Sequence, residues 1–152
     1  MSFGTAVKTC FGKLFVFNGR ARRSEFWWFY LFLTLVSFAL TALATVAFFA
    51  VVSPLIRESV PDSDTVADEQ VAHFLWTAGL FYGAILLLSL VLTVLLLGAQ
   101  ARRLHDTGQS AHWLWFHIAG LGIVPLIMCI MEGQPFENQY GPDPKALPAY
   151  GS

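Results

Sequence analysis

The sequence predicts an all-α membrane protein: three hydrophobic helices preceded by an N-terminal interfacial amphipathic helix. Three observations carry that expectation. Hydrophobic residues make up 56% of the 152 residues and charged residues only 12%, half the roughly 25% charged residues of a soluble domain. Three runs, Phe26–Ile56, Phe74–Ala101 and Trp113–Met131, contain no Asp, Glu, Lys or Arg. The remaining charges sort by sign into the connectors. This composition excludes disorder, which needs low hydrophobicity and high charge. A formal net charge of −1 excludes a globally basic nucleic-acid binder.

The first element is the amphipathic helix, placed at residues 2–17. Phe3, Val7, Cys10, Leu14 and Phe17 recur at spacings of four, three, four and three, one narrow apolar face of a helix. Lys8 and Lys13 fall away from that face, as in a helix lying at the membrane surface with its lysines toward anionic headgroups. An amphipathic helix packed on the protein itself has the same pattern. Gly19 then stops the helix.

The spans follow, at about 26–54, 74–101 and 113–131. A bilayer core needs about 20 apolar residues in a helix; two runs exceed that and the third just reaches it. The basic residues before Glu25, with Ala42-Leu43-Ala44 as a cleavage-like site, resemble a signal peptide. A signal core is about 7–15 residues, however, and this run is twice that, so a retained span is expected. Thr65-Val66-Ala67-Asp68 has the form of a capping box and predicts that the second helix starts outside the bilayer. The third run carries Gly120, Gly122 and Pro125 near its middle, where a break is easiest. A full span is favoured over a re-entrant hairpin, because a turn in lipid exposes backbone. Residues 1–144 then form a single membrane domain and 145–152 an irregular tail.

Orientation follows from Lys and Arg. Residues 1–25 hold Lys8, Lys13, Arg20, Arg22 and Arg23, and residues 102–112 hold Arg102 and Arg103. The 57–73 connector holds Arg57 among five acids, and the tail holds Lys145. The positive-inside rule puts the N-terminus and 102–112 in the cytoplasm, with the 57–73 loop and, for a full third span, the tail outside.

The candidate site lies at the cytoplasmic ends of the spans: Arg20, Arg22, Arg23 and Glu25 at one, Arg102, Arg103, His105 and Asp106 at another. Arg beside Trp at headgroup depth is an ordinary anchor, but acids beside a membrane are costly unless paired. Glu25 or Asp106 is therefore expected to bridge to an arginine of the other cluster. In a hairpin arrangement Asn138 and Tyr140 would join this face. Gly79 and Gly83 have the spacing of close helix contact and are expected to pack on the small-residue stripe Ser37, Thr41, Ala44 and Thr45.

Catalytic patterns fail. There is no G-x-S-x-G, P-loop or H-E-x-x-H. Cys10 and Cys129 form no CxxC, and His105, His112 and His117 have no metal-ligand spacing. No metal and no cofactor is expected.

Three segments carry a family resemblance. They are Phe17-Asn18-Gly19-Arg20-Ala21-Arg22-Arg23-Ser24-Glu25-Phe26-Trp27, Ala101-Arg102-Arg103-Leu104-His105-Asp106-Thr107-Gly108-Gln109-Ser110, and Asn138-Gln139-Tyr140-Gly141-Pro142-Asp143-Pro144. In order and spacing they resemble the domain-of-unknown-function 805 family, small bacterial inner-membrane proteins of the YhaH/YhaI kind. Where that family commonly closes its second motif with Ser-Gly-Trp-Trp, this chain has Ser110-Ala111-His112-Trp113, and its acidic stretch 57–73 is longer. The resemblance implies a polytopic inner-membrane protein and supplies no activity.

The functional expectation is a non-catalytic inner-membrane protein that binds a partner protein or an anionic lipid through its cytoplasmic Arg/His/Asp face, with membrane lipids or a second copy as neighbours and no nucleic acid. An oligomeric transporter or channel subunit is the alternative. An enzyme acting on a lipid-linked substrate, with His105 and Asp106 as acid–base pair, is a further one.

Overall fold

A computed structural model describes residues 1–58 and 64–146, with side chains at 1–54 and 71–146. The elements are α1 (Phe3–Gly12), α2 (Arg23–Glu58), α3 (Asp64–Asp106), a 3-10 helix (Ala111–His117) and α4 (Ile123–Met128). Among the described residues the only strand-like pairing is a bridge between Asn138 and Gly141. Two helices are long and apolar enough to cross a membrane, within Arg23–Pro54 and Val71–Asp106. The chain resolves into two compact units, Met1–Leu33 with Thr93–Ser152, and Thr34–Leu92.

The Thr34–Leu92 unit holds the apolar stretches of α2 and α3 together with the acidic 57–73 connector. Uncharged Leu-, Val- and Phe-rich sequence satisfies its backbone internally as helix, the one economical state in lipid. Its side chains look outward: Phe38 is 74% and Leu80 72% exposed, unlike the core helix of a soluble protein. Phe48 and Phe81 meet between the helices as a tilted pair with ring centroids 4.6 Å apart. The expected Gly79–Gly83 contact is absent. A Cβ at either glycine meets nothing within 4 Å outside its own helix, and the Thr45 hydroxyl donates back to Thr41 O at 2.8 Å. The acidic loop lies largely outside the described residues; α3 begins at Asp64, but the side chains of the Thr65–Asp68 capping box are not described.

The other unit differs from expectation in two places. First, α1 ends at Gly12, not residue 17. Ala6 and Cys10 are buried, Phe3 meets Trp28 edge-on at 5.7 Å, and Phe11 meets Phe29 at 5.5 Å. Leu14 and Phe17, the far end of the expected face, lie beyond the helix, where Arg102 takes the carbonyls of Lys13 and Val16. A helix continued through residue 17 would use Lys13 O itself. Lys8, Lys13 and Phe15 stay exposed.

Second, the third apolar run is not a continuous helix. The 3-10 helix over seven residues and α4 over six are joined through Gly120 at φ +74°. That left-handed conformation is open to glycine and costly for other residues. Leu121 N donates to Phe116 O at 2.8 Å across the turn, and α4 packs on the 3-10 helix. The break that Gly120, Gly122 and Pro125 make easy is the one the chain adopts.

Candidate functional site

The last turns of α3 are the hub of this unit. A helix C-terminus favours cations near its unpaired carbonyls, and Arg102, Arg103 and His105 stand there. One turn sends the two arginine side chains to opposite neighbours. Arg102 reaches the N-terminal segment, donating to Lys13 O at 2.7 Å and Val16 O at 2.6 Å and pairing with Glu25 at 3.4 Å. Arg103 reaches the tail, donating to Cys129 O at 3.1 Å and to Met131 O, and pairs with Asp106.

Arg20 enters from the loop before α2. It pairs with Asp106 at 2.9 Å and donates to Phe136 O at 2.6 Å, Gly141 O at 3.2 Å and Gln134 O. Asp106 thus spends both carboxylate oxygens on two arginines, and all three side chains are at most 2% exposed. A buried guanidinium is tolerable only when its donors are filled and its charge is paired. Arginine suits the task because its planar fork carries five donors. The backbone joins in: Ala21 N donates to Arg102 O at 3.0 Å and Gln134 N to Asp106 O at 2.8 Å. Arg22 and Arg23 sit further out, on Pro144 O at 2.6 Å and Met131 O at 3.1 Å; Arg23 also meets Glu132 at 3.5 Å.

The tail residues enter the same cluster. Asn138 donates to His105 O at 3.0 Å and to Gln134 Oε1 at 2.9 Å. The Tyr140 ring lies parallel to the His105 ring, centroids 3.8 Å apart and 4° between planes. The other side of His105 donates from Nδ1 to Gly19 O at 3.2 Å. The expected His105–Asp106 acid–base pair is therefore not formed: His105 holds a carbonyl, and Asp106 holds two arginines.

An open groove of about 490 Å³ runs beside the cluster, lined by Phe17, Asn18, His105, Ser110, Ala111, His112, Trp115 and Tyr140. No Asp, Glu, Lys or Arg lines it, and Ser110 Oγ lies 2.5 Å from His112 Nδ1. Among the described residues no three His, Cys, Asp or Glu side chains group as a metal site.

The two thiols lie inside the same unit. Burial, with the Glu25 carboxylate adding to it, pushes Cys10 from 9.0 up to about 12. Burial pushes Cys129 from 9.0 up to about 12 against the pull of Arg103. Both are thiols at neutral pH, and the thiolate is the reactive form. Neither is expected to react with a maleimide at pH 7.5 until the protein unfolds. The linkage sign follows. Below pH 9 neither state ionises; above it the unfolded chain loses these protons first, so stability falls between pH 9 and 12. Thiol titration in detergent with and without denaturant checks the first point, and unfolding at stepped alkaline pH the second.

Sequence reasoning singled out the buried charged members of the cluster and the two tail residues, but not Glu132, the exposed partner of Arg23. It missed Gln134, which links Arg20, Asn138 and Asp106 through its carbonyl, side chain and amide. It also missed Gln100, bonded to His117 Nε2 at 2.9 Å, and the groove side chains Trp115 and Ser110. A glutamine in a proline-rich tail carries no periodic or charge signal. Nor did Gly98 stand out, although a Cβ there would collide with the Leu14 carbonyl.

The inner membrane protein YhaH of Escherichia coli K12 is 32% identical over 134 residues, 87% of this chain and 89% of that protein. The inner membrane protein YhaI of the same strain is 31% identical over 131 residues, 85% and 86% of the two chains. No solved structure matches the chain. The family model for proteins of unknown function DUF805 matches residues 14–142, from the loop that Arg102 grips to the tail turn that Arg20 grips, and the chain belongs to that family.

Proposed function

We propose that this is a non-catalytic binding protein of the bacterial inner membrane, with two spanning helices, a cytoplasmic N-terminus and a groove that takes a segment of a protein partner. The carrying observation is that the first and second motif segments and the tail converge on the groove while the cations beside it are spent internally. Arg20, Arg102 and Arg103 hold carbonyls and acids, so they act as struts and leave little for an anionic headgroup. What lines the groove is Trp115, Tyr140 and Phe17 with hydrogen-bonding groups and no Asp, Glu, Lys or Arg. Aromatic anchors ringed by polar groups are the make-up of a protein-binding hot spot.

Lipid contact falls to α1. Exposed Lys8 on α1, with Lys13 and Phe15 just beyond its end, suits an interfacial segment on an anionic surface. The excess of Lys and Arg in residues 1–25 and 102–112 supports the cytoplasmic placement of that end.

A photo-crosslinking side chain at His112 in native membranes tests the groove. A single protein adduct of defined mass is expected, lost in Tyr140→Ala when that variant unfolds at the wild-type temperature. No adduct, or one that survives Tyr140→Ala, overturns the reading. A lipid adduct replaces the protein partner with a lipid.

A further inference from the structure

We infer that the third apolar run is a membrane-dipping hairpin whose exposed side chains contact the lipid leaflet from which it emerges, leaving the tail on the same side as the N-terminus. This goes beyond the groove's binding role and does not depend on it.

The lengths exclude a crossing. Seven residues of 3-10 helix reach about 14 Å at 2.0 Å each, and six of α-helix about 9 Å, against a hydrocarbon core of about 30 Å. The ends of the run also meet. The chain leaves α3 at Asp106 and is back beside it at Gln134, whose amide donates to Asp106 O at 2.8 Å. Arg103 holds Cys129 O at 3.1 Å on the return strand. Arg20, just ahead of α2, then grips Phe136 and Gly141. A tail bonded to the residue that precedes the first span shares the side of that residue.

The occupant follows from what the hairpin exposes. Ile118 is 78% exposed, and Leu121, Ile123, Ile127 and Ile130 are each exposed by about half or more. No Asp, Glu, Lys or Arg lies between residues 107 and 131. The α2 and α3 ends in the same unit also expose apolar side chains, Leu31 and Val94 among them, so lipid is the solvent that suits this unit's apolar faces. Depth is limited by the backbone. An irregular turn in hydrocarbon leaves polar groups unpaired at several kcal/mol each, so the turn at Gly120 rests near the headgroup–acyl boundary.

Single cysteines at Ser2, Lys145 and Asp62 test the topology with a membrane-impermeant maleimide on intact and permeabilised cells. The native thiols are buried and stay silent. Ser2→Cys and Lys145→Cys are expected to be protected together until permeabilisation, with Asp62→Cys labelled from outside. Both labelled with Asp62→Cys protected would keep the hairpin and overturn the proposed orientation. Ser2→Cys and Lys145→Cys on opposite sides would overturn the hairpin.

Depth is read from an environment-sensitive fluorophore on Ile118→Cys in phosphatidylcholine–phosphatidylglycerol vesicles. Stronger quenching by a nitroxide near the headgroup than by one at the chain end is expected. The reverse order, or a probe shielded from both lipid nitroxides and aqueous iodide, overturns the leaflet contact; the shielded case assigns this face to another protein chain.

Discussion

Replacing Asp106 by Asn lowers the stability of the folded protein by about 3–5 kcal/mol, the cost of removing one partner from a buried ion pair. The reason is specific to its position. Its two oxygens face Arg20 and Arg103, both essentially inaccessible. Asn keeps the shape and removes the charge, leaving two buried guanidinium groups around a neutral amide. Arg20 and Arg103 also hold the tail through Gln134, Phe136, Gly141, Cys129 and Met131. Loss of stability should therefore come with protease cleavage in residues 132–146 at conditions where the wild type is resistant. Denaturant unfolding in detergent and limited proteolysis measure both. Glu132→Gln is the contrast: its partner Arg23 is 3.5 Å away and the Glu132 side chain is 88% exposed, so at most about 1 kcal/mol is expected. Equal effects for the two variants would show that the carbonyls alone satisfy the arginines.

Gly98→Ala is expected to cost about 1–3 kcal/mol, the usual range for overpacking, and Gly98→Val more. A methyl at Gly98 meets the Leu14 carbonyl, which is backbone and cannot swing aside as a flexible side chain would. Moving it displaces the 13–16 loop whose carbonyls Arg102 holds, so an apolar clash reaches the ion-pair cluster. Gly79→Ala and Gly83→Ala run the other way. Nothing stands within 4 Å of a Cβ at either position, and helix propensity favours Ala over Gly by up to about 1 kcal/mol. Unfolding of the three variants under one condition gives the order. A Gly98→Ala protein as stable as Gly83→Ala would remove the close approach of α3 to Leu14.

The two long helices were legible in the sequence because transfer of apolar side chains out of water is a local, additive property. Uncharged runs such as Phe26–Ile56 and Phe74–Ala101 register it without knowledge of neighbours. Arg20, Glu25, Arg102 and Asp106 were legible for a related reason: a charge that borders a span end is confined to one level, where acids seek arginines. Arg20–Asp106 and Arg102–Glu25 are the pairs that join the two clusters.

The fate of Trp113–Met131 was not legible in the same way. Its hydropathy suits a span, and its glycines and proline suit a break. The choice rests on Arg103 and Arg20 reaching the carbonyls of Cys129, Met131 and Phe136. Likewise, the spacing of Gly79 and Gly83 suggested close contact, while the tight approach occurs at Gly98. Every residue offers the same carbonyl, so no side-chain pattern marks which ones a guanidinium will take or where two backbones will touch. Composition determined that this chain belongs in a membrane and where its charges stand; tertiary structure decided which backbone oxygens those charges hold, and with that the turn of the third run and the place of the tail.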